Sequence, residues 1–254
     1  MKLGGYAHLN GITFFCDIFK LKTTNKKGNL KFQLEWILPK KWIRKLEKKP
    51  LIGGISLIYY QWKIFDKKIR WSILTLIALL FLDEYIHIPL FSNLLDLSIN
   101  KWLLWSGGLA LVLLNYKKIS RMLRYHGAEH KVINCYIKHG YVNLPLAKES
   151  SRFNKRCGTN LAAIFVVLWV VFYFLNFDSI GLQLLLFLVA IQVLKKIATK
   201  ESKWDVVING LQWLTVWQPR EEELIVAVEG FNKLYKTYII YQKEVMDRNY
   251  KSGS

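Results

Sequence analysis

Four apolar runs limit what this chain can fold into: Trp71–Leu82, Trp102–Tyr116, Leu161–Leu175 and Ile180–Leu194. Each is shorter than the ~20 residues of a perpendicular membrane-spanning helix. Each must therefore borrow flanking residues or thin the bilayer; the first can extend upstream through Ile55–Trp62 or downstream through Tyr85–Phe91. A soluble bundle of four buried helices is the competing solution, and the order of the charges speaks against it. Lys and Arg number sixteen in residues 1–70, none in 83–100, ten in 117–160, none in 176–179 and ten in 195–254. The two base-free connections hold the acids Asp83, Glu84, Asp96 and Asp178. This alternation is the positive-inside pattern, with both termini and the 117–160 segment on the cytoplasmic side. Trp71, Trp102, Trp105 and Trp204 stand near run ends, where indole rings favour the interface. The expected fold is mainly α: a polytopic four-helix integral membrane protein with a small cytoplasmic α+β cap.

The cap is read from both ends of the chain. Residues 12–22 (ITFFCDIFKLK) and 30–37 (LKFQLEWI) have strand character, and TTNKKGN between them supplies turn chemistry. An N-terminal β-hairpin follows. Gly4, Gly5 and Gly11 in GGYAHLNG read as turn residues, because the stretch lacks the lysine and the strand–helix context of a phosphate loop. Residues Pro39–Lys49 (PKKWIRKLEKK) predict a basic juxtamembrane amphipathic helix. Pro219 followed by Glu221, Glu222 and Glu223 opens a C-terminal helix, whose stripe Leu224, Val228, Phe231 and Tyr235 can dock on the hairpin. The expected division is 1–50 hairpin and basic helix, 51–116 first membrane helix pair, 117–160 cytoplasmic motif loop, 161–195 second membrane pair, and 196–254 C-terminal helical segment.

The motif loop holds RYHGAEHKVINCYIKHG at 124–140, with His126, Glu129 and His130 spaced H-x-x-E-H. On a helix the two imidazoles are one turn apart and can reach one metal, while Glu129 beside them can take a proton from its water. A third ligand is needed. Cys135 falls on the opposite side of a continuous helix from His126; Cys157, Glu149 and His139 become candidates if the chain reverses. The competing reading is a buried polar knot, with Glu129 paired to Arg124 or Arg156. Imidazole and thiolate donors suit zinc, which makes His126, His130 and Cys157 the expected metal ligands and Glu129 the expected catalytic residue.

Three cysteines, Cys16, Cys135 and Cys157, lie far apart without a framework spacing, which argues against a disulfide-stapled secreted fold. The first twenty residues show no cleavable signal peptide. A formal net charge of +19 calls for anionic partners. Anionic lipid head groups come first, a ribosome or translocation channel second, and DNA is not expected.

The segments RYHGAEHKVINCY, SRFNKRCGT and GLQWLTVWQPREEELIVAV, with the opening GGYAHLNG, resemble the bacterial YqhQ-like family of multi-span membrane proteins. Its members carry a domain of unknown function and the label of predicted metal-dependent enzymes. The resemblance implies that His126, Glu129, His130, Cys135 and Cys157 belong to the family signature, and that the chain resides in the bacterial cytoplasmic membrane. Two positions depart from that pattern: Asn154 and Lys155 stand where the family usually has a histidine and a proline, and Asn10 where it has a glutamate. The expected function is a zinc-dependent hydrolase at the cytoplasmic membrane interface. The alternative is a non-catalytic accessory of membrane-protein insertion, docking ribosome or translocon through its basic cap.

Overall fold

The computed structural model of the chain describes residues 1, 3–26, 28–38, 42–43, 46, 53–65, 67–85, 101–176, 179–198 and 209–252. These residues divide into two compact, interleaved units: 1–38, 118–154 and 209–254 form the first, 39–117 and 155–208 the second.

The first unit is built on a four-stranded antiparallel sheet in sequential order: β1 (Gly4–His8), β2 (Gly11–Phe15), β3 (Phe19–Lys26) and β4 (Asn29–Trp36). The hairpin expected from sequence is thus only its second half. The run read as one strand, 12–22, is two strands, because Cys16 N–H donates to the Phe19 carbonyl (2.9 Å) and closes a tight turn at Asp17–Ile18. Between β3 and β4, Gly28 takes φ 87°, a left-handed conformation that a side chain would resist.

Three helices cover one face of this sheet: α4 (Tyr116–His139), α5 (Leu144–Glu149) and α9 (Glu221–Ser252). Strand alternation sends Ile12, Phe14, Phe19 and Leu21 into the core. The spacing of Tyr125, Ala128, Val132 and Cys135 gives α4 one apolar stripe, and Leu224, Val228, Phe231 and Leu234 give α9 another. Phe231 is fully buried, its ring edge-on to Phe14 at 6.0 Å and 5.1 Å from Tyr136. Burying a ring of that size stabilises the fold by roughly 3 kcal/mol. At the start of α9 Glu223 Oε2 accepts the Arg220 N–H at 2.9 Å, the carboxylate half of a capping box.

The second unit contains α1 (Gly53–Ile64), α2 (Lys67–Tyr85), α3 (Lys101–Leu114), α6 (Gly158–Phe174) and α7 (Ile180–Ile197). Helices α6 and α7 pack together, with Phe165 edge-on to Phe187 at 5.9 Å, and α7 also meets α1. Among the described residues no helix is long and apolar enough to cross a membrane. This overturns the polytopic four-helix fold, the multi-pass placement in the bacterial cytoplasmic membrane and the topology of its termini.

The physical reasons are length and polarity. Helix α3 has 14 residues and α6 has 17, which is roughly 21 Å and 26 Å against a hydrocarbon core of about 30 Å. Helix α2 is longer, yet its 19 residues include Lys67, Lys68, Arg70, Asp83 and Glu84. Helix α7 carries Gln183, Gln192, Lys195 and Lys196 within 18 residues. Upstream, Ile55–Trp62 belongs to the separate helix α1 rather than extending α2. The basic helix at Pro39–Lys49, most of the 83–100 connection and Trp204 lie outside the described residues.

Candidate metal centre

The expected motif loop is helical through most of its length: α4 carries His126, Glu129 and His130 on consecutive turns. The structure brings these three together. The ring centroids of His126 and His130 are 4.5 Å apart at 69°, and their ligating nitrogens lie within 4.8 Å of one another. Glu129 Oε2 stands 4.0 Å from His126 Nε2.

Each imidazole is oriented by a backbone carbonyl. His126 Nδ1 donates to Thr215 O at 2.9 Å, and His130 Nδ1 donates to Arg152 O at 2.6 Å. A carbonyl only accepts, so each ring carries its proton on Nδ1 and presents Nε2 as the lone-pair nitrogen. Burial pushes both groups down from the ordinary histidine value, His130 to about 3; the His126 ring beside it adds to the effect. Both rings are neutral at pH 7. Burial also pushes the Glu129 carboxyl up, to about 8. The His126–Glu129 contact therefore joins two neutral groups rather than an ion pair.

The acceptor carbonyls are themselves held. After α5 the chain returns along α4: Lys131 Nζ donates to Lys148 O and Ser150 O, both at 2.7 Å, and Asn134 Nδ2 donates to Ser151 O and Phe153 O at 2.8 and 2.9 Å. The fully buried Gln212 then clamps Asn154, accepting its N–H at 2.9 Å and donating to its carbonyl at 2.8 Å. Thr215 ends the short helix α8 (Gly210–Thr215), and the following Trp217 N–H donates to Leu123 O at 3.1 Å.

Two glycines allow these segments to approach. A Cβ on Gly127 would collide with the Trp217 carbonyl. A Cβ on Gly5 would stand 2.9 Å from Glu129 Cγ. Gly4 and Gly5 thus lie in strand β1, not in a turn, and Gly5 is there because the strand passes over Glu129.

Arg124 is not the partner of Glu129. It pairs with Glu223 (Nε to Oε1, 3.2 Å), whose carboxylate is buried while the guanidinium is partly exposed. Among the other ligand candidates, Glu149 and His139 are exposed, and Cys135 is buried with its thiol donating to Tyr141 O at 3.6 Å. Cys157 belongs to the second unit, where it caps α6 and accepts the Thr159 N–H at 3.5 Å. Asn10 is exposed between β1 and β2. Sequence reasoning missed Gln212, Gly5, Gly127 and the carbonyls of Arg152 and Thr215. Only the glycines left a signal, as small residues inside otherwise distinctive motifs.

The donor set fits zinc: two neutral imidazoles on adjacent turns, each fixed through its second nitrogen by a carbonyl, with a carboxyl alongside.

Comparison with known proteins gives a family without a function. Residues 69–237 match the family described as "Protein of unknown function (DUF1385)". The chain is 29% identical over 132 residues to "Uncharacterized protein YqhQ" of Bacillus subtilis (strain 168). That match covers 46% of this chain and 42% of the relative, less than half the length of either. No solved structure matches. The family match spans most of the chain, from α2 to α9 and through the whole HGAEH segment, and the chain belongs to the DUF1385 family.

Proposed function

We propose that this protein is a zinc-dependent hydrolase, with His126 and His130 binding the ion through Nε2 and Glu129 handling the proton. The observation that carries this reading is the pair of Nδ1–carbonyl hydrogen bonds. They set both tautomers for ligation in the metal-free chain, as outer-shell partners do at zinc sites. Cys157 is the proposed third ligand. It follows Asn154 by three residues, so their Cα atoms are within about 11 Å of each other. With three protein ligands a fourth position stays open.

Bound zinc would polarise a water or a substrate carbonyl in that position. The remaining chemistry is the chain's own. The carboxyl of Glu129 is protonated at neutral pH while no cation is near, and a divalent charge beside it favours the carboxylate. As a carboxylate it accepts a proton from the attacking water and returns it to the leaving group. Strand β1 keeps bulk solvent from this carboxyl, since Gly5 packs directly on it.

The test is metal analysis of purified protein beside the double variant His126→Ala/His130→Ala. Near-stoichiometric zinc, lost in the double variant, supports the site. Cobalt replacement tests Cys157, because a thiolate-to-cobalt absorption band should vanish in Cys157→Ser. Glu129→Gln should keep its metal while losing hydrolysis across a panel of ester, amide and phosphoester substrates. Metal that the histidine substitutions leave unchanged would reduce HGAEH to structural glue.

A further inference from the structure

Strand β4 forms one edge of the sheet, and among the described residues no strand pairs with its outer side. It is eight residues long, lacks proline, and exposes Phe32 (40%), Leu34 (42%) and Trp36 (58%). An edge of that length and composition is a template for another strand.

The backbone restricts which strand can add. Ile37 N–H donates to Ile18 O at 2.7 Å, continuing the register in which Trp36 faces Phe19. Hydrogen-bonded pairs alternate along an antiparallel ladder, so Asn29, Lys31, Gln33 and Glu35 turn their amides toward β3. Leu30, Phe32, Leu34 and Trp36 turn theirs toward the open edge. An incoming antiparallel strand must meet these four with its own outward-facing residues.

A second copy of β4 does so. With a twofold axis at Gln33, Leu30 faces Trp36 and Phe32 faces Leu34 as hydrogen-bonded pairs. Lys31 then faces Glu35 twice, and Gln33 faces itself. Moving the axis by one residue, to Phe32 or Leu34, removes both opposite-charge pairs and shortens the contact. The faces agree as well. Trp36 packs on Phe19 and Tyr241 at 5.6 and 5.7 Å, so Phe32 and Leu34 lie on the side that α9 partly covers. In the pair they form one continuous apolar row. On the other face Glu35 already bonds Lys20 at 3.1 Å, and Lys31 of a second copy joins the same carboxylate.

We propose that two copies of this chain associate through β4, antiparallel about Gln33, to make one eight-stranded sheet. The contact is isologous: the same patch serves both partners. Backbone hydrogen bonds and the apolar row supply most of the affinity, and the charge pairs fix the register.

Sedimentation of the purified full chain, together with cysteine cross-linking, tests this. The wild type should sediment as a dimer. Gln33→Cys should form an intermolecular disulfide under mild oxidation, because non-hydrogen-bonded partners bring Cα atoms to about 4.5 Å. Lys31→Cys chains should cross-link to Glu35→Cys chains on mixing, and neither to itself. The native cysteines are buried and give little background. Leu34→Lys should give a folded monomer, checked by circular dichroism, and Lys31→Glu should weaken association about tenfold. A wild-type monomer at 100 μM protein, or a dimer that Leu34→Lys leaves intact and Gln33→Cys does not lock, overturns the proposal.

Discussion

Gly5 of β1 lies against the side chain of Glu129: a Cβ at Gly5 would sit 3.0 Å from Oε1 and 2.9 Å from Cγ. The carboxyl is buried and cannot swing away, so the strand and the carboxyl must move together. Gly5→Ala should destabilise by about 1 kcal/mol and Gly5→Val by about 3 kcal/mol. Because Glu129 is not a proposed ligand, both variants should keep their metal while losing turnover. Chemical denaturation and metal content, measured side by side, separate the two effects.

Gly127 faces a harder obstacle, the Trp217 backbone carbonyl, which no rotamer can relieve. Gly127→Ala should displace the segment after Thr215 and cost about 3 kcal/mol. It should also weaken metal binding, since Thr215 O orients His126. An unchanged melting temperature and metal affinity would show that 215–219 does not lie against α4.

The pH profile of the metal-free protein carries a signature of Glu129. Its folded value of about 8 is above its ordinary 4.5, so the unfolded chain releases this proton first and stability falls as pH rises between those values. The histidines act oppositely: His130 at about 3 and a lowered His126 make stability fall as pH drops below their ordinary 6.5. Between pH 6.5 and 8 the carboxyl acts without that opposition, at about 1.4 kcal/mol per pH unit. Glu129→Gln should flatten this slope in chelator-treated protein, read by urea denaturation. A wild-type slope retained in the variant would assign the effect to other groups.

Arg124 and Glu223 join α4 to the start of α9 through an ion pair whose carboxylate is buried. Arg124→Leu strands a buried carboxylate and should cost about 3–4 kcal/mol. The double variant Arg124→Leu/Glu223→Gln should regain much of that loss, because a neutral amide can still accept the Arg220 N–H. Additive losses across this cycle would show the pair uncoupled.

The spacing of His126, Glu129 and His130 was readable because a helix maps three and four residues onto one face, and α4 obeys that rule. What oriented those side chains was not readable. The acceptors are backbone carbonyls of Arg152 and Thr215, and a carbonyl leaves no mark on residue type. Strand β1 escaped because glycine is depleted in strands, and Gly4 and Gly5 read as a turn. The turn at Asp17–Ile18 lay inside a run read as one strand, with Asp17 as its mark. The membrane reading failed where short apolar runs were expected to borrow flanking residues and become spans. The helices of those runs end early or carry charges within their bounds.

The interleaving of the two units sets a clock. The first unit is collected from 1–38, 118–154 and 209–254. A ribosome delivers the histidines long before the groups that set their tautomers: Arg152 comes 22 residues after His130, and Thr215 comes 89 after His126. Until Phe231 emerges, Phe14 lacks the ring that packs edge-on against it, and the growing chain holds an uncovered apolar face. The orientation of both imidazoles is therefore acquired late, and a product that stops short of residue 209 lacks the carbonyl that orients His126.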